Sequence, residues 1–521
     1  MESYELGLKN SNIESAWHYH NGTKHPHGKL MDKLHTYNPA FRPNPYKVYK
    51  DLQTTVLPLD KSPTNTSALI AISSNVKQEG KNLVPDLNTL ARILYFSCGI
   101  TKTINYPRLG NVEFRAAACT GALFHIEIYV VCGNLPGLSA GVYHFDPKNM
   151  NLELLRKGEY RHVLINASSN NIAIQHAPLI LIYSDVFTRN SIKYQAREYR
   201  HAFWDCGTII ANTLSISSAH KLPAKVILGY VDDLVNSLID LNTEKEVSLA
   251  LVPIGFINED PTQEIPVIPS LNLKTEPLSN YDFDDQEIQK IHQDSSLTSS
   301  EVKDWLGVTP KIKIPFPGEN LISLDPFKED KIPLASIEQV IIRRGSAREF
   351  SPEPISFQQL STILYYSKTG VPADFLEPYG SSLINLYLII NAVDGLQSGS
   401  YFYNREQNIL ELLKGGKFRQ TAGYLGLDQD LPADGSVAVF FMTDLEIVLE
   451  RFGNRGYRAA QLEASILGGK FYLASYAQNL GATGLTFYDD AVTEFFSPHA
   501  KDKSVMFMVV LGKTRSQIIT K

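Results

Sequence analysis

Cysteine is scarce. The 521 residues hold four, Cys98, Cys119, Cys132 and Cys206, all in the first half of the chain. None sits in a CxxC pair, so zinc and iron–sulfur readings lack their ligand spacing. Isolated thiols of this kind are expected as free side chains in a reducing compartment. A basic excess is missing too. Lys and Arg total 49 against 55 Asp and Glu, a formal net charge of -6, which gives no electrostatic reason to expect nucleic acid or an anionic membrane as partner. No stretch approaches the ~20 apolar residues that span a bilayer. The opening MESYELGLKN has no basic segment leading into an apolar run, so it does not read as a signal peptide. These absences point to a cytoplasmic protein.

What is present is repetition. A chain of 521 residues with 43% apolar content is long enough for two or more domains. Gly141–Arg161 lies over Gly399–Arg419, 258 residues on, with Gly141, Tyr143, Leu152, Glu153, Leu154, Leu155, Gly158 and Arg161 recurring as identities. The same offset carries KYQAREYR (193–200) onto RFGNRGYR (451–458). GYVDDLV at 229–235 meets TFYDDAV at 486–492, and LARILYFS at 90–97 meets LSTILYYS at 360–367. Matching blocks in one order indicate a duplicated domain, since this period is far too long for a solenoid.

Each copy mixes helix and strand, an α+β pattern. LARILYFS has helical spacing, whereas ALFHIEIYVVC and SLINLYLIINAV are β-rich. YHFDP and YFYNR read as hairpin starts leading into LELL, and long buried helices are expected from near Tyr199 and Tyr457. Residues 257–330, rich in Pro, Asp, Glu, Ser and Asn, read as a linker with a short helix near Asp285–His292. The domains are then 1–256 and 331–521. The aromatic-rich residues 1–80 are expected to pack.

A phosphate-binding pattern stands in one copy. In Ile342–Phe350, Arg344, Ser346 and Arg348 alternate, so an extended segment places all three on one side. Two guanidiniums and a hydroxyl suit a phosphate monoester; a solvated basic segment is the plainer alternative. No RxSxR occurs in residues 1–260, and the second copy also ends with Lys513 and Arg515 where the first ends LVPIG.

These residues resemble the nitroreductase superfamily, and within it the SagB/ThcOx-type dehydrogenases, flavin oxidases of azole-forming peptide biosynthesis. RRGSAREF at 343–350, RAAACTGALFHIEIYV at 115–130, GVYHFDP…LELL at 141–155, KYQAREYR at 193–200, YDDAV at 488–492 and YHNGTK at 19–24 carry the resemblance. It implies two tandem nitroreductase-like domains, each an antiparallel sheet flanked by helices, forming an intramolecular pseudo-dimer with FMN in a cleft between them. By the same resemblance Arg344 and Ser346 hold the phosphate, and Arg348 reaches the pyrimidine edge of the flavin. Lys513 and Arg515 add charge. Cys119, Thr120 and Gly121 stand in for the Pro-Ser-x-Gly segment from the other copy. The family's Gly-Gly beside the flavin reads Thr486-Phe487 here, with Gly481 and Gly484 close by. One complete flavin site can be assembled across the pair, while the other cleft lacks its cations. The fused pair can dimerise again.

Lys193-Tyr194 matches the family's proposed catalytic base. A lysine of lowered pKa, or a tyrosinate, can accept the proton that leaves as a hydride departs. Copy two has Arg451-Phe452, and arginine stays protonated. The plainer reading is a surface lysine and a packed tyrosine. Arg200 and Arg458 are expected to pair with a carboxylate such as Asp205 or Glu463. Asp232-Asp233 and Asp489-Asp490 recur in both copies, which favours a turn or cap role. His18, His20, His25 and His27 read as a solvated cluster, not a metal site. Three functions follow: an FMN-dependent dehydrogenase acting on a peptide azoline or similar small C–N substrate, a general NAD(P)H-dependent nitro- or quinone reductase, or a degenerate flavin-binding scaffold.

Overall fold

Runs rich in β-branched and aromatic residues, most of them buried along their whole length, make the strands, and two sheets carry them. The computed structural model describes residues 9–26, 42–77, 80–107, 110–258, 266–277, 286–314 and 318–515. The first sheet runs, edge to edge, Thr54–Val56, Asn151–Lys157, Gly141–Asp146, Ile126–Cys132, Leu179–Val186 and Glu246–Ile254, all antiparallel. The second repeats this order with Leu321–Ser323, Ile409–Gly415, Gly399–Asn404, Asn385–Ile390, Val437–Thr443 and Ser504–Gly512, then adds Gly481–Gly484 at the far edge. The hairpins read from YHFDP and YFYNR are therefore present in both copies, as is the α+β tandem architecture.

Two long helices, Glu198–Ala219 and Arg455–Ala477, lie back to back between the sheets and are buried almost throughout. Small residues let them approach. A Cβ on Gly207 would lie 1.9 Å from Ser465 Oγ, and one on Gly469 would lie 2.6 Å from Ala211 Cβ. Polar groups then lock the register: Trp204 Nε1 donates to Gln461 Oε1 at 2.7 Å, and Ser465 Oγ donates to the Phe203 carbonyl at 2.8 Å.

The helices' N-terminal turns carry a crossed clamp. Arg197 and Arg200 of the first domain donate to Asp489 of the second, at 3.1 and 2.6 Å. Arg455 and Arg458 of the second donate to Asp232 of the first, at 2.6 and 2.8 Å. This corrects two expectations. Arg200 and Arg458 do not pair with Asp205 and Glu463 on their own helices. Asp232 and Asp489 are each the first residue of a short helix whose cap positions are Val231 and Tyr488, and their carboxylates serve as buried counterions to the other copy's arginines. Burial alone would raise these carboxyls; the paired guanidiniums overcome it and hold both well below the usual carboxylate range.

Residues 257–330 hold more structure than a linker. Gln286–Asp294 is a helix, near the short one expected, followed by Ser299–Trp305 and the sheet strand Leu321–Ser323. The first of these mirrors the N-terminal helix Glu14–Gly22. Arg200 donates to the carbonyl of His20 just as Arg458 donates to that of His292, each at 2.6 Å. His20 is buried against Tyr457, not solvated, and burial with the nearby Arg200 holds it neutral; His27 lies outside the described residues. Among the described residues no helix is long and apolar enough to cross a membrane.

Candidate active site

A cleft of about 760 Å³ opens between the domains, within the usual range for small-molecule sites. Each half supplies a different part of its wall. The first domain brings Cys119, Thr120, Gly121, Lys193 and Tyr194; the second brings Ser346, Arg348 and Gly484. Trp204, Tyr472 and Phe507 add aromatic surface.

The segment through Cys119 is held from beneath by the long helix. Asp205 accepts from the Thr120 amide and hydroxyl, each at 2.8 Å, and from Cys119 Sγ at 3.0 Å. His125 bridges below, donating from Nε2 to Asp205 at 2.8 Å and from Nδ1 to Asp185 at 2.7 Å. Burial opposes protonation of His125, but these carboxylates outweigh it and keep it an imidazolium. Glu198, 3.2 Å from Nδ1, is buried beside Asp185, and both effects push its carboxyl well above the usual range. Burial and Asp205 likewise raise the Cys119 thiol, which is therefore an inert hydrogen-bond donor and no nucleophile. Sequence reasoning missed this network. Its signal was the shared acid at one helix position: Glu463, the counterpart of Asp205, accepts from Ser382 and from the Leu383 amide.

Lys193 and Tyr194 end a short helix, Thr188–Tyr194, at the cleft edge. The next residue, Gln195, adopts φ +50° and ψ −143°, where its counterpart is Gly453 at φ +65° and ψ −159°. A side chain in that region costs about 1–3 kcal/mol, so the turn that aims the dyad is kept against local preference. Gly121, at φ +60°, lets the opposing backbone come close: a Cβ there would meet Tyr194 Oη at 2.9 Å and Lys193 Nζ at 3.4 Å. Burial, then the charges of Arg42 and Arg348, push the Lys193 ammonium below its ordinary value. Tyr194 moves the opposite way, raised by burial, Asp205 and Cys119. Of the two, lysine is the one prepared to lose its proton, and the phenol stays protonated.

Not every expected residue reaches the cleft. Arg344 turns aside: its Nε donates to the Ala116 carbonyl at 2.9 Å and its Nη2 to that of Arg115 at 3.3 Å. It ties the RxSxR segment to the first domain instead of standing on the wall with Ser346 and Arg348, because the carbonyls of Ala116 and Arg115 hold its guanidinium. Lys513 pairs with Glu353 at 3.1 Å, and Arg515 is exposed. Gly481 packs beside Thr514 and Ala347, behind the wall that Gly484 forms. On that wall the Thr486 hydroxyl is buried, and no group among the described residues hydrogen-bonds it.

No family model matches the chain. A protein of Anabaena variabilis provisionally named a nitroreductase superposes over 96% of this chain and 99% of its own, with a TM-score of 0.76 and 24% identity. The trifolitoxin-processing protein TfxB of Rhizobium leguminosarum bv. trifolii is 26% identical over 270 residues, which span 46% of this chain and 69% of that protein. The microcin B17-processing protein McbC of Escherichia coli is 28% identical over 169 residues, 31% of this chain and 61% of that protein.

Proposed function

We propose that this chain, a two-domain member of the nitroreductase superfamily with SagB-type relatives, is an FMN-dependent dehydrogenase working in the cleft between its halves. One observation carries the reading: a lysine of lowered pKa from the first domain faces Ser346 and Arg348 of the second across a single cavity. The cleft fits a flavin. It has the volume, a hydroxyl and a guanidinium to receive a phosphate or a polar ring edge, and, at Thr486, a buried hydroxyl that no group among the described residues hydrogen-bonds. When bound, FMN supplies the hydride acceptor.

The chain's own residues do the rest. Ser346 and Arg348 hold the cofactor. The Cys119–Gly121 segment, fixed by Asp205, sets the opposite wall. Lys193 takes the substrate proton as the hydride leaves, a task worth roughly 10²–10⁴ in rate. Tyr194, kept protonated, donates a hydrogen bond beside it and orients the substrate. The substrate is a small C–N compound or a peptide azoline, in keeping with relatives that process peptide toxins.

The test is anaerobic mixing of FMN-loaded protein with azoline-bearing peptides on one side and NADPH on the other, following the flavin's visible absorption. Bleaching by the azoline supports the dehydrogenase. Rapid bleaching by NADPH alone supports a nitro- or quinone reductase. Failure to retain FMN after reconstitution removes the enzyme reading.

A further inference from the structure

The pseudo-twofold that relates the domains also generates a second cleft, and the chain itself fills it. The dyad's counterparts in copy two are Arg451 and Phe452. Both grip the short helix Ser299–Trp305. Arg451 donates to the carbonyls of Asp304, Trp305, Leu306 and Val308 at 3.2–3.4 Å, an arrangement that caps the helix C-terminus with a cation. The Phe452 ring lies 4.7 Å from that of Trp305.

The wall opposite is closed as well. Gly229 is the counterpart of Thr486, and Leu228 that of Leu485. Asp374 accepts from the amides of Leu228 and Gly229, at 3.1 and 2.7 Å, and from Trp305 Nε1 at 3.2 Å. A Cβ on Gly229 would lie 2.4 Å from Trp305 Cδ1, so the indole is pressed directly against this backbone. In the open cleft, by contrast, no group among the described residues hydrogen-bonds the Thr486 hydroxyl. The segment aligned with RxSxR, near Asn75 and Lys77, borders a small pocket of about 250 Å³ with Lys225 and Glu377, and those two pair with each other.

We infer that Trp305 and Asp374 are built-in occupants of the second cleft, so that each chain holds one flavin, and that Arg451 and Phe452 have exchanged proton chemistry for holding this plug. The inference rests on the flavin reading above but is separable from it. Asp374 satisfies amides that would otherwise face a ligand, and Trp305 takes the aromatic volume. With both in place a second flavin is denied the ring space that Trp305 fills and the Leu228 and Gly229 amides that Asp374 holds.

The first measurement is flavin released per chain from FMN-saturated, gel-filtered protein. One per chain is expected; two overturns the inference and leaves the proposed function standing. Zero removes the proposed function instead, and the plug is then judged by hydrogen–deuterium exchange. The amides of residues 301–309 are expected to be protected equally with and without FMN; free exchange, or protection that changes with FMN, overturns the plug. A Trp305→Gly variant supplies a third reading with indole as probe. Millimolar indole is expected to raise the variant's melting midpoint by several degrees and leave the parent unmoved; a folded variant indifferent to indole overturns it.

Discussion

Replacing Asp489 by Asn tests the crossed clamp at its more exposed consequence. The Asp489 carboxylate accepts from Arg197 at 3.1 Å, Arg200 at 2.6 Å and the His25 amide at 3.0 Å. Asparagine keeps the shape but leaves two buried guanidiniums without a counter-charge. Breaking a buried ion pair from one side costs about 3–5 kcal/mol, a large part of the ~5–15 kcal/mol that holds a typical protein folded. Asp232→Asn should cost a similar amount, because Arg455 and Arg458 contact Asp232 in the same way. The two variants should then part company over flavin. Arg197, Lys24 and His25 line the open cleft, so Asp489→Asn should weaken FMN binding, whereas Asp232→Asn, beside the plugged cleft, should leave it unchanged.

Urea unfolding followed by tryptophan fluorescence, with FMN titrations on the folded variants, measures both effects. The pH dependence follows from the depressed carboxyls. Their contribution is complete above the ordinary aspartate pKa of about 3.9 and is lost as pH falls through the lower folded value. The penalty for Asn should therefore be flat from pH 5 to 8 and shrink below about pH 4. A cost under about 1 kcal/mol for both variants, or equal flavin affinity in the two, would refute the reasoning.

Three further outcomes are expected. Lys193→Met should retain FMN but lose roughly 10²–10⁴ in turnover, and Lys193→Arg should lose as much because a guanidinium stays protonated. In the parent, turnover should rise with pH through a midpoint below that of an ordinary lysine, as the neutral amine becomes populated; stopped-flow rates across pH check all three. Arg348→Ala removes a charged donor from the cleft and should weaken FMN by about 1.5–3 kcal/mol, read as a shift in dissociation constant. Gly207→Ala forces a methyl against Ser465, whose Oγ would lie 1.9 Å away, and should lower stability by about 1–3 kcal/mol, measured as a drop in melting midpoint.

Much of the fold could be read from local pattern, because hairpins and helices are local. GVYHFDP…LELL specified Gly141–Asp146 and Asn151–Lys157, and both long helices began within two residues of Tyr199 and Tyr457. The resemblance then put Cys119, Lys193, Ser346 and Arg348 in one site, where the cleft gathers them. The failures are long-range. Arg200 and Asp489 stand 289 residues apart, and a reading confined to one helix assigned Arg200 to the nearby Asp205. The signal lay in recurrence itself: Arg-x-x-Arg and Asp-Asp both survive duplication, which suits two groups that need each other across an interface. Arg344 failed for a different reason. Strand-like alternation says which side a residue faces, but the carbonyl of Ala116, which also accepts from Asn212, captured the guanidinium, and nothing in residues 342–350 announces that carbonyl. Trp305 was hidden in residues that composition marked as linker.

Duplication followed by fusion accounts for which features stayed symmetric. The clamp recurs in both halves because each Asp satisfies arginines of the other domain; loss on either side strands a buried charge. The opening helices recur for the same reason, since Arg200 and Arg458 each need a backbone carbonyl from one of them. The chemical groups are under no such constraint. In a homodimer any substitution strikes both clefts, so neither the lysine nor the RxSxR segment could be dropped without losing every site. In a fused chain they can be dropped one at a time, provided the losses fall on the same cleft. They do: RxSxR is absent from the first half and Lys-Tyr from the second, and those two absences meet at the cleft that Trp305 and Asp374 occupy. Complementary loss confined to one cleft is the pattern expected when the other is still held to its chemistry. A scaffold without chemistry has no reason to keep Gln195 at positive φ, aiming a lysine whose ammonium is already destabilised.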